Sequence, residues 1–268
     1  MEKRLLELEE IKRIQLDILD CIDRFCKAEG LRYSLSYGTL LGAVRHKGYI
    51  PWDDDIDLIM PRPDYDRFRT TFTADDCYLN DLSLRDDCVE AFVKVCKKGT
   101  IMVDKNFGRE MWGVNVDIFP IDGAPEEGLE EHYESLDRIR EKLFRICPYY
   151  KSVKAGRIPL MLKYALKRIV YFYPGTFMSL KRKLVEGQKA IPFESSRTVG
   201  VYYEAEKTRS FMERHIYDAI GVLPFEGKSY PALQYFDAYL TKIYGDYMQL
   251  PPEEKRVSQH AYDTYLEI

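Results

Sequence analysis

The sequence predicts an α+β protein, in which a mixed β-sheet flanked by helices is joined to a helical subdomain. Short segments of alternating apolar residues, typical of strands, cluster between residues 33 and 121. Longer segments with helical periodicity occupy residues 3–29 and most of residues 126–189. Strands grouped in one part of a chain and helices in another are typical of α+β folds, whereas α/β folds alternate the two.

Length and composition agree with one large folded unit. The chain has 268 residues, of which 46% are hydrophobic and 31% charged, so it can bury a substantial core. No apolar run approaches the roughly 20 residues needed to cross a bilayer. The charged N-terminus also lacks the apolar stretch of a secretory signal. We therefore expect a cytoplasmic protein.

Cysteine and histidine usage argues against a zinc site. The six cysteines are scattered without a C-x-x-C pair, and the four histidines lack ligand spacing relative to them. In a cytoplasmic chain we expect these thiols to be reduced and mostly buried.

The predicted elements suggest three regions. The first helix has an apolar stripe that Gln15 interrupts, formed by Leu8, Ile11, Ile18, Ile22 and Phe25. It ends at Gly30, a residue suited to the left-handed conformation at a helix end. We expect a core domain over residues 1–125, a basic helical subdomain over 126–197 and a C-terminal segment, 198–268, that returns to the core. The expected strands are 33–35, 56–60, 77–84, 91–97, 100–105 and 114–121, and the expected helices are 3–29, a short helix from Pro63, 126–146, 158–171, 177–189 and 232–248.

A basic block interrupts an otherwise acidic chain. Residues 151–190 contain ten Lys or Arg and a single acid, Glu186, whereas the whole chain has a net charge of −4. Such a block favours an anionic partner such as a phosphate polymer or lipid headgroups, and its aromatic residues would suit peripheral membrane contact. The alternative is an ordinary solvated helical face. We expect no nucleic-acid partner.

An acidic run beside the strand at 56–60 gives the clearest indication of chemistry. Residues two apart on a strand share a face, so Asp55 and Asp57 are expected to point the same way. Two adjacent carboxylates repel unless a cation lies between them, and Mg²⁺ or Mn²⁺ takes such oxygen ligands. A calcium loop is the weaker alternative, because Leu58 stands where that loop requires glycine. Asp53 and Asp54 are interpreted as loop residues rather than ligands.

Two further features complete a candidate site for transfer at phosphorus. Gly38 and Thr39 precede a helix-prone segment, and backbone N–H groups at such a turn can hold phosphate oxygens. Asp117 lies in an apolar strand, where an acid is costly to bury without a compensating charge. It is therefore the candidate for a third metal ligand.

This arrangement resembles the nucleotidyltransferase superfamily, and within it the LicD/fukutin family of phosphotransferases. The superfamily pattern is a strand, a Gly-Ser or Gly-Gly turn, a helix, Asp-x-Asp on the next strand and a later Asp. Here Gly38-Thr39, Asp55-x-Asp57 and Asp117 match it, and Gly-Thr is the LicD form of the turn. The matching blocks are SYGTLLGAVRHKGYIPWDDDIDLIMPRPDYDRF, WGVNVDIFPIDG and LPFEGKSYPA with FDAYLTKIYGDYMQLPPEEKR.

The resemblance implies a nucleotidyltransferase-like fold and an enzyme that uses a CDP-activated donor, CDP-choline being the best-known case. It would move the phospho-alcohol to a hydroxyl of a cell-surface glycan or teichoic-acid precursor, lipid-linked in the usual case, and release CMP. Asp55 and Asp57 would hold the metal, and Asp117 would complete its shell and accept the hydroxyl proton. The zinc-binding cysteine insertion of some fukutin-type relatives has no counterpart here.

Two other functions stay open at this point. A true nucleotidyltransferase would release pyrophosphate instead of CMP. A non-catalytic glycan or lipid-surface adaptor would have no use for three carboxylates that are costly to bury.

Several basic residues are candidates for donor binding. Arg45 and His46 follow the helix-prone segment, and Lys94 lies on a strand expected to neighbour the site. A solvated loop histidine and an exposed strand lysine are the alternative interpretations. Asp246 and His260 could reach the site if the C-terminal segment folds back.

Overall fold

A computed structural model describes residues 2–82, 90–105, 109–146, 176–202, 207–257 and 262–268. The helices are α1 (Leu8–Glu29), α2 (Tyr37–Arg45), α3 (Arg62–Thr71), α4 (Leu129–Ile146), α5 (Thr176–Gln188), α6 (Arg214–Asp218) and α7 (Phe236–Tyr244). The strands are β1 (Lys3–Leu5), β2 (Ser34–Leu35), β3 (Asp57–Pro61), β4 (Cys77–Asn80), β5 (Val93–Lys97), β6 (Thr100–Asp104), β7 (Arg109–Glu110), β8 (Asn115–Gly123), β9 (Thr198–Gly200), β10 (Met212–Glu213), β11 (Ile220–Phe225), β12 (Lys228–Leu233) and β13 (Tyr262–Glu267). The α+β class is confirmed.

A mixed sheet forms the centre of the described structure. Its main order is β10-β9-β8-β3-β2-β12-β11, and β5 pairs with both β8 and β4. Strands β3 and β8 are parallel, whereas β5 runs antiparallel to β8. A second sheet has the order β1-β13-β6-β7. The first sheet positions the acidic residues, because both predicted acidic strands, β3 and β8, lie side by side in it.

The N-terminal helix begins later than the sequence predicts. Residues 3–5 form β1, which pairs with β13 at the other end of the chain, and α1 starts only at Leu8. Glu10 accepts a hydrogen bond from the backbone N–H of Glu7, and this contact helps to fix the helix start. The predicted end is confirmed: Gly30 has a φ of 63°. The pairing of β1 involves residues more than 250 positions away, so local periodicity could not show it.

Helix α1 packs on the apolar face of the central sheet, with Ile18, Leu19 and Ile22 fully buried. Two positions differ from the predicted stripe. Leu8 is 39% exposed, whereas Gln15, the polar interruption, is 4% exposed. Gln15 Nε2 donates to the carbonyl of Asp54 at 2.8 Å, so α1 holds the acidic run in place.

Strand β8 shows the predicted alternation. Val114, just before the strand, Val116 and Ile118 are fully buried, whereas Asp117 and Phe119 on the other face are half-buried. The alternation separates a face covered by α1 from a face that carries the polar side chains. The strand extends to Gly123, two residues beyond the predicted end, because residues 122 and 123 pair with β9.

Helices α4 and α5 pack against each other and share a smaller core with Tyr133, Leu184 and Phe211. The predicted helix over 158–171 and residues 151–175 of the basic block lie outside the described residues. None of the described helices is long and apolar enough to span a membrane. Cys21, Cys26, Cys77 and Cys96 are free thiols. The expected boundaries between the three regions stay predictions.

Candidate active site

Four polar residues form a row across the central sheet. Asp57 on β3 is the register partner of Asp117 on β8, which is the partner of Lys94 on β5, and Lys94 pairs with Asn80 on β4. Register partners on adjacent strands are about 4.8 Å apart and present their side chains on the same face. The row therefore brings together two of the predicted carboxylates and the predicted donor-binding lysine.

Lys94 and Asp117 form a short ion pair in the middle of this row. Nζ lies 2.5 Å from Asp117 Oδ2, and the two side chains are only 9% and 15% exposed. The ammonium also lies 4.7 Å from the ring centre of Phe92 and 5.0 Å from that of Trp112. Burial lowers the pKa of Lys94, but the carboxylates of Asp117 and Glu90 outweigh it and raise the pKa above its ordinary value. Lys94 is therefore a buried counter-ion, and the alternative of an exposed strand lysine is wrong.

Asp57 lies close to other carboxylates of the acidic run. Its pKa is raised well above the ordinary value, first by burial and then by the carboxylates of Asp55, Asp117 and Asp53, against which Lys94 acts. Asp55 lies just before β3, which begins at Asp57. Like charges held close together in a half-buried place favour a cation nearby.

Oxygen ligands of this kind suit Mg²⁺ or Mn²⁺ in their chemistry. The side chains are not arranged as a ready cluster: within the described ranges no three His, Cys, Asp or Glu side chains lie in a metal-binding group. Asp117 is instead held by Lys94 and, at Oδ1, by the amide of Asn115. The residues fit a divalent cation if the Lys94 ammonium gives up part of its contact with Asp117.

The first turn of α2 lies against the start of β3. Thr39 Oγ1 accepts a hydrogen bond from the backbone N–H of Asp57 at 2.9 Å. The helix begins at Tyr37, so Gly38 and Thr39 belong to its first turn rather than to a turn before it. A Cβ added at Gly38 would lie 2.7 Å from Asp53 Oδ2, so this carboxylate approaches the helix N-terminus. The Asp53 carboxylate thus lies close to the predicted phosphate-binding turn, and the positive end of the helix dipole favours a negative charge there.

Comparisons with known proteins cover the part of the chain that contains this row. The family model described as LicD/FKTN/FKRP, nucleotidyltransferase domain, matches residues 30–142, which include the whole row. The lipopolysaccharide cholinephosphotransferase LicD of Haemophilus influenzae is 29% identical over 267 residues, covering 97% of this chain and 98% of that protein. The chain is therefore similar to the LicD/fukutin family, through the domain at residues 30–142 and through a relative matched over nearly its whole length. An uncharacterized protein of Rickettsia typhi is 39% identical over 57 residues, 21% of this chain and 16% of its own length.

Two other predicted donor-binding residues, Arg45 and His46, lie apart from the row. Arg45 ends α2, about 10 Å along the helix axis from Gly38 at 1.5 Å per residue. Its guanidinium donates to the carbonyl of Tyr247 and to Nε2 of His46, each at 2.9 Å. Burial, and then the charge of Arg45, lower the pKa of His46. The two residues join α2 to the C-terminal segment, and their contact with a donor stays a prediction.

Sequence reasoning missed several residues that shape the site. Tyr37 has a left-handed backbone with φ 44°, and its ring packs edge-on against Phe119 at 5.5 Å. Such a conformation is strained for a non-glycine residue and often occurs at functional sites. Asn80 is 1% exposed, and its amide nitrogen and oxygen have no hydrogen-bond partner in the described part of the chain. The sequence showed Asn80 only as an isolated polar residue in a predicted strand. The row of polar residues can be recognised only from the pairing register of β3, β8, β5 and β4.

Proposed function

We propose that this protein is a phosphotransferase that moves phosphocholine from CDP-choline to a hydroxyl of a cell-surface glycan and releases CMP. The observation that carries the proposal is the row of Asp57, Asp117 and Lys94, set beside the first turn of α2. The similarity to a lipopolysaccharide cholinephosphotransferase over nearly the whole chain supports the choice of phosphocholine and of a glycan acceptor.

The reaction needs an acceptor hydroxyl, an activated phosphorus and a proton acceptor. The hydroxyl oxygen forms a bond to the phosphorus that carries choline, while the bond from this phosphorus to the bridging oxygen breaks. CMP leaves with the bridging oxygen, and in-line placement of the two oxygens is the main demand on the protein. The hydroxyl proton goes to a carboxylate and then to solvent.

Asp117 is the proposed proton acceptor. Its two oxygens already accept hydrogen bonds from Lys94 and Asn115, which fix the orientation of the carboxylate. Each carboxylate oxygen has a second lone pair, so an acceptor hydroxyl can still donate to it. This preorganisation is what a general base requires.

Lys94 has two roles in the proposal. In the free protein its ammonium neutralises Asp117. With the donor bound, its other N–H groups contact a phosphate oxygen, which carries the negative charge that an ammonium prefers. The flanking rings of Phe92 and Trp112 limit the positions that the side chain can take.

Asp55, Asp57 and Asp117 would hold Mg²⁺ or Mn²⁺, which would supply charge neutralisation for the donor diphosphate and the transition state. Thr39 keeps the backbone of Asp57 in place through its hydroxyl. The metal itself, the teichoic-acid precursor as acceptor and a cytoplasmic location stay predictions.

Product analysis tests the proposal against its rival within the superfamily. Purified protein is incubated with CDP-choline or with CTP, a lipopolysaccharide-type saccharide acceptor and Mg²⁺. We expect CMP release from CDP-choline and no pyrophosphate from CTP. Pyrophosphate release with transfer of the nucleotide would replace the proposal by a true nucleotidyltransferase, and no turnover of either donor would favour the adaptor.

A further inference from the structure

A cavity of about 270 Å³ lies between α3, α5 and the residues that flank β4 and β5. Arg62, Tyr65, Asp66 and Arg69 line it from α3, whereas Met178 and Val185 are among its lining residues on α5. None of the predicted site residues lines this cavity. Its size lies just below the roughly 300–1,000 Å³ of sites for drug-sized ligands, so it suits a small ligand.

One aromatic residue, Phe92, links the cavity to the row of polar residues. Phe92 is part of the cavity lining. The same ring lies 4.7 Å from the ammonium of Lys94, and its centre is 4.3 Å from that of Phe119. Phe92 therefore contacts both the cavity and the ammonium of Lys94.

Ion pairs and hydrogen bonds give the cavity a fixed shape. Arg62 makes two 2.6 Å hydrogen bonds to the carboxylate of Asp122, both residues being buried. Lys189 lies 2.6 Å from Asp66 and so joins the end of α5 to α3. Lys181 is 4% exposed and donates to the carbonyl of Leu82 at 2.9 Å. Lys181, part of the basic block, therefore belongs to the wall of a cavity rather than to a solvated helical face.

The chemistry of the lining suits a saccharide. Tyr65 and Phe92 contribute aromatic rings to the lining, and the charged side chains provide directional donors and acceptors. Oδ1 of Asp66 is buried, and it has no hydrogen-bond donor within the part of the chain that the structure describes; the nearest guanidinium nitrogen of Arg62 is 3.6 Å away. A buried carboxylate oxygen of this kind is costly to leave unsatisfied, and a ligand hydroxyl is a suitable donor for it.

The charge of the lining favours an anionic form of that ligand. Five basic side chains and three acidic ones contribute to it, and Asp122 behind the lining pairs with Arg62, so the excess is one positive charge. The basic ones are Arg62, Arg69, Lys181, Arg182 and Lys189. A phosphorylated sugar complements this excess.

We propose that this cavity binds the terminal saccharide of the acceptor, with preference for a phosphorylated sugar. The inference rests on the proposed phosphotransfer, because the sugar would bind in the cavity while its reacting hydroxyl extends past Phe92 to the donor and Asp117. It adds an acceptor-binding site to the proposed function, and it assigns a role to residues 176–190, the described part of the basic block.

Direct binding can be measured on the intact protein with methyl-labelled methionine. Met178 lines the cavity and is 52% exposed, and its signal is assigned with a Met178→Leu variant. Titration with glucose 6-phosphate is expected to shift the Met178 methyl signal saturably. Glucose should give the same shift at higher concentration, and inorganic phosphate should give none. A Met178 signal unchanged by both sugars contradicts the inference, as does an equal response to phosphate alone, which would mean an anion site only.

A filling variant and its matched control connect binding with transfer. Val185→Trp places an indole in the cavity, whereas Lys183→Trp adds it to an exposed position of α5 that does not line the cavity. We expect Val185→Trp to raise the acceptor KM and the glucose 6-phosphate Kd by about tenfold or more. CMP affinity and metal-dependent hydrolysis of the donor should stay at the parent level, and Lys183→Trp should change neither acceptor value.

The outcomes separate this inference from the proposed function. If wild-type protein turns over CDP-choline but Val185→Trp keeps the parent acceptor KM, the cavity is not the acceptor site. If CDP-choline is not turned over while Met178 still responds to the sugar phosphate, the phosphotransfer proposal fails and saccharide binding stands. Weaker CMP binding in Val185→Trp would assign the cavity to the donor nucleoside instead. Thermal unfolding shows whether the variant is folded, and the titration of the wild-type protein decides the inference if it is not.

Discussion

Replacing Lys94 by methionine tests the electrostatic organisation of the site. Methionine keeps much of the length and packing of the lysine side chain but removes its charge. The carboxylate of Asp117 would then remain at 15% exposure without the ammonium that lies 2.5 Å away in the parent. Asp57, its register partner, and Glu90 would also lose the influence of this positive charge.

The expected loss of stability follows from the burial of the pair. Removing one partner of a buried ion pair typically costs about 3–5 kcal/mol. Since the pair keeps slight solvent contact and the aromatic packing on Phe92 and Trp112 survives with methionine, we expect the lower end, about 3 kcal/mol. A divalent cation should restore part of this loss, because it can neutralise the same carboxylates. Mg²⁺ should therefore stabilise Lys94→Met more than the parent protein.

Urea unfolding with EDTA or with Mg²⁺ measures both effects as free energies of unfolding. Lys97→Met is the matched control, because Lys97 lies on the same strand and pairs with Asp76, whose side chain is 61% exposed. A surface pair of this kind contributes about 0–1 kcal/mol, so the control should be nearly neutral. Equal losses in the two variants, or equal stabilisation of parent and Lys94→Met by Mg²⁺, would refute the reasoning.

Further substitutions test other parts of the site. Asp57→Asn and Asp55→Asn should each reduce turnover to background while urea unfolding shows a folded protein, because each removes a charge at constant size. Near-parent turnover of either variant would exclude that residue as a metal ligand. Thr39→Val should lower the free energy of unfolding by about 1–3 kcal/mol because the N–H of Asp57 loses its acceptor, whereas Thr39→Ser keeps the hydroxyl and should unfold like the parent; equal losses would mean that packing alone matters. Asp117→Asn should depress single-turnover transfer by about 10²–10⁴-fold while calorimetry still detects donor binding at reduced affinity; transfer at the parent rate would leave Asp117 as a structural strand acid.

The placement of the acidic residues of the candidate site at their strands could be predicted from sequence, because the signals are local. Asp55, Asp57 and Asp117 stand out as acids next to apolar strand residues, and Gly30 and Pro63 mark helix boundaries through their own backbone preferences. The strand cores were predicted for the same reason, since alternation is visible within each segment. The observed strand ends differ from the predicted ones where pairing with a distant strand extends the strand. Residues 122 and 123 of β8, which pair with β9, are an example.

The remaining features depend on contacts between distant residues. Lys94 became the partner of Asp117 through the register of β5 on β8, a choice that no local pattern contains. Gln15 was interpreted as a defect in an apolar stripe, although it bonds to the acidic run 39 residues away. In both cases a polar side chain is buried because it binds a distant partner, and the sequence does not show which partner that is.

Transfer of choline itself is the most direct test of the proposed phosphotransfer. The protein is incubated with Mg²⁺, a lipopolysaccharide-type saccharide and CDP-choline labelled with ¹³C in the choline methyl groups, and the acceptor is analysed by mass spectrometry while CMP is quantified. Labelled phosphocholine should appear on the saccharide in equal amount to the CMP released, and Asp57→Asn should yield neither. Label that never reaches the acceptor, or acceptor modified with cytidylate and no release of CMP, would contradict the proposed function.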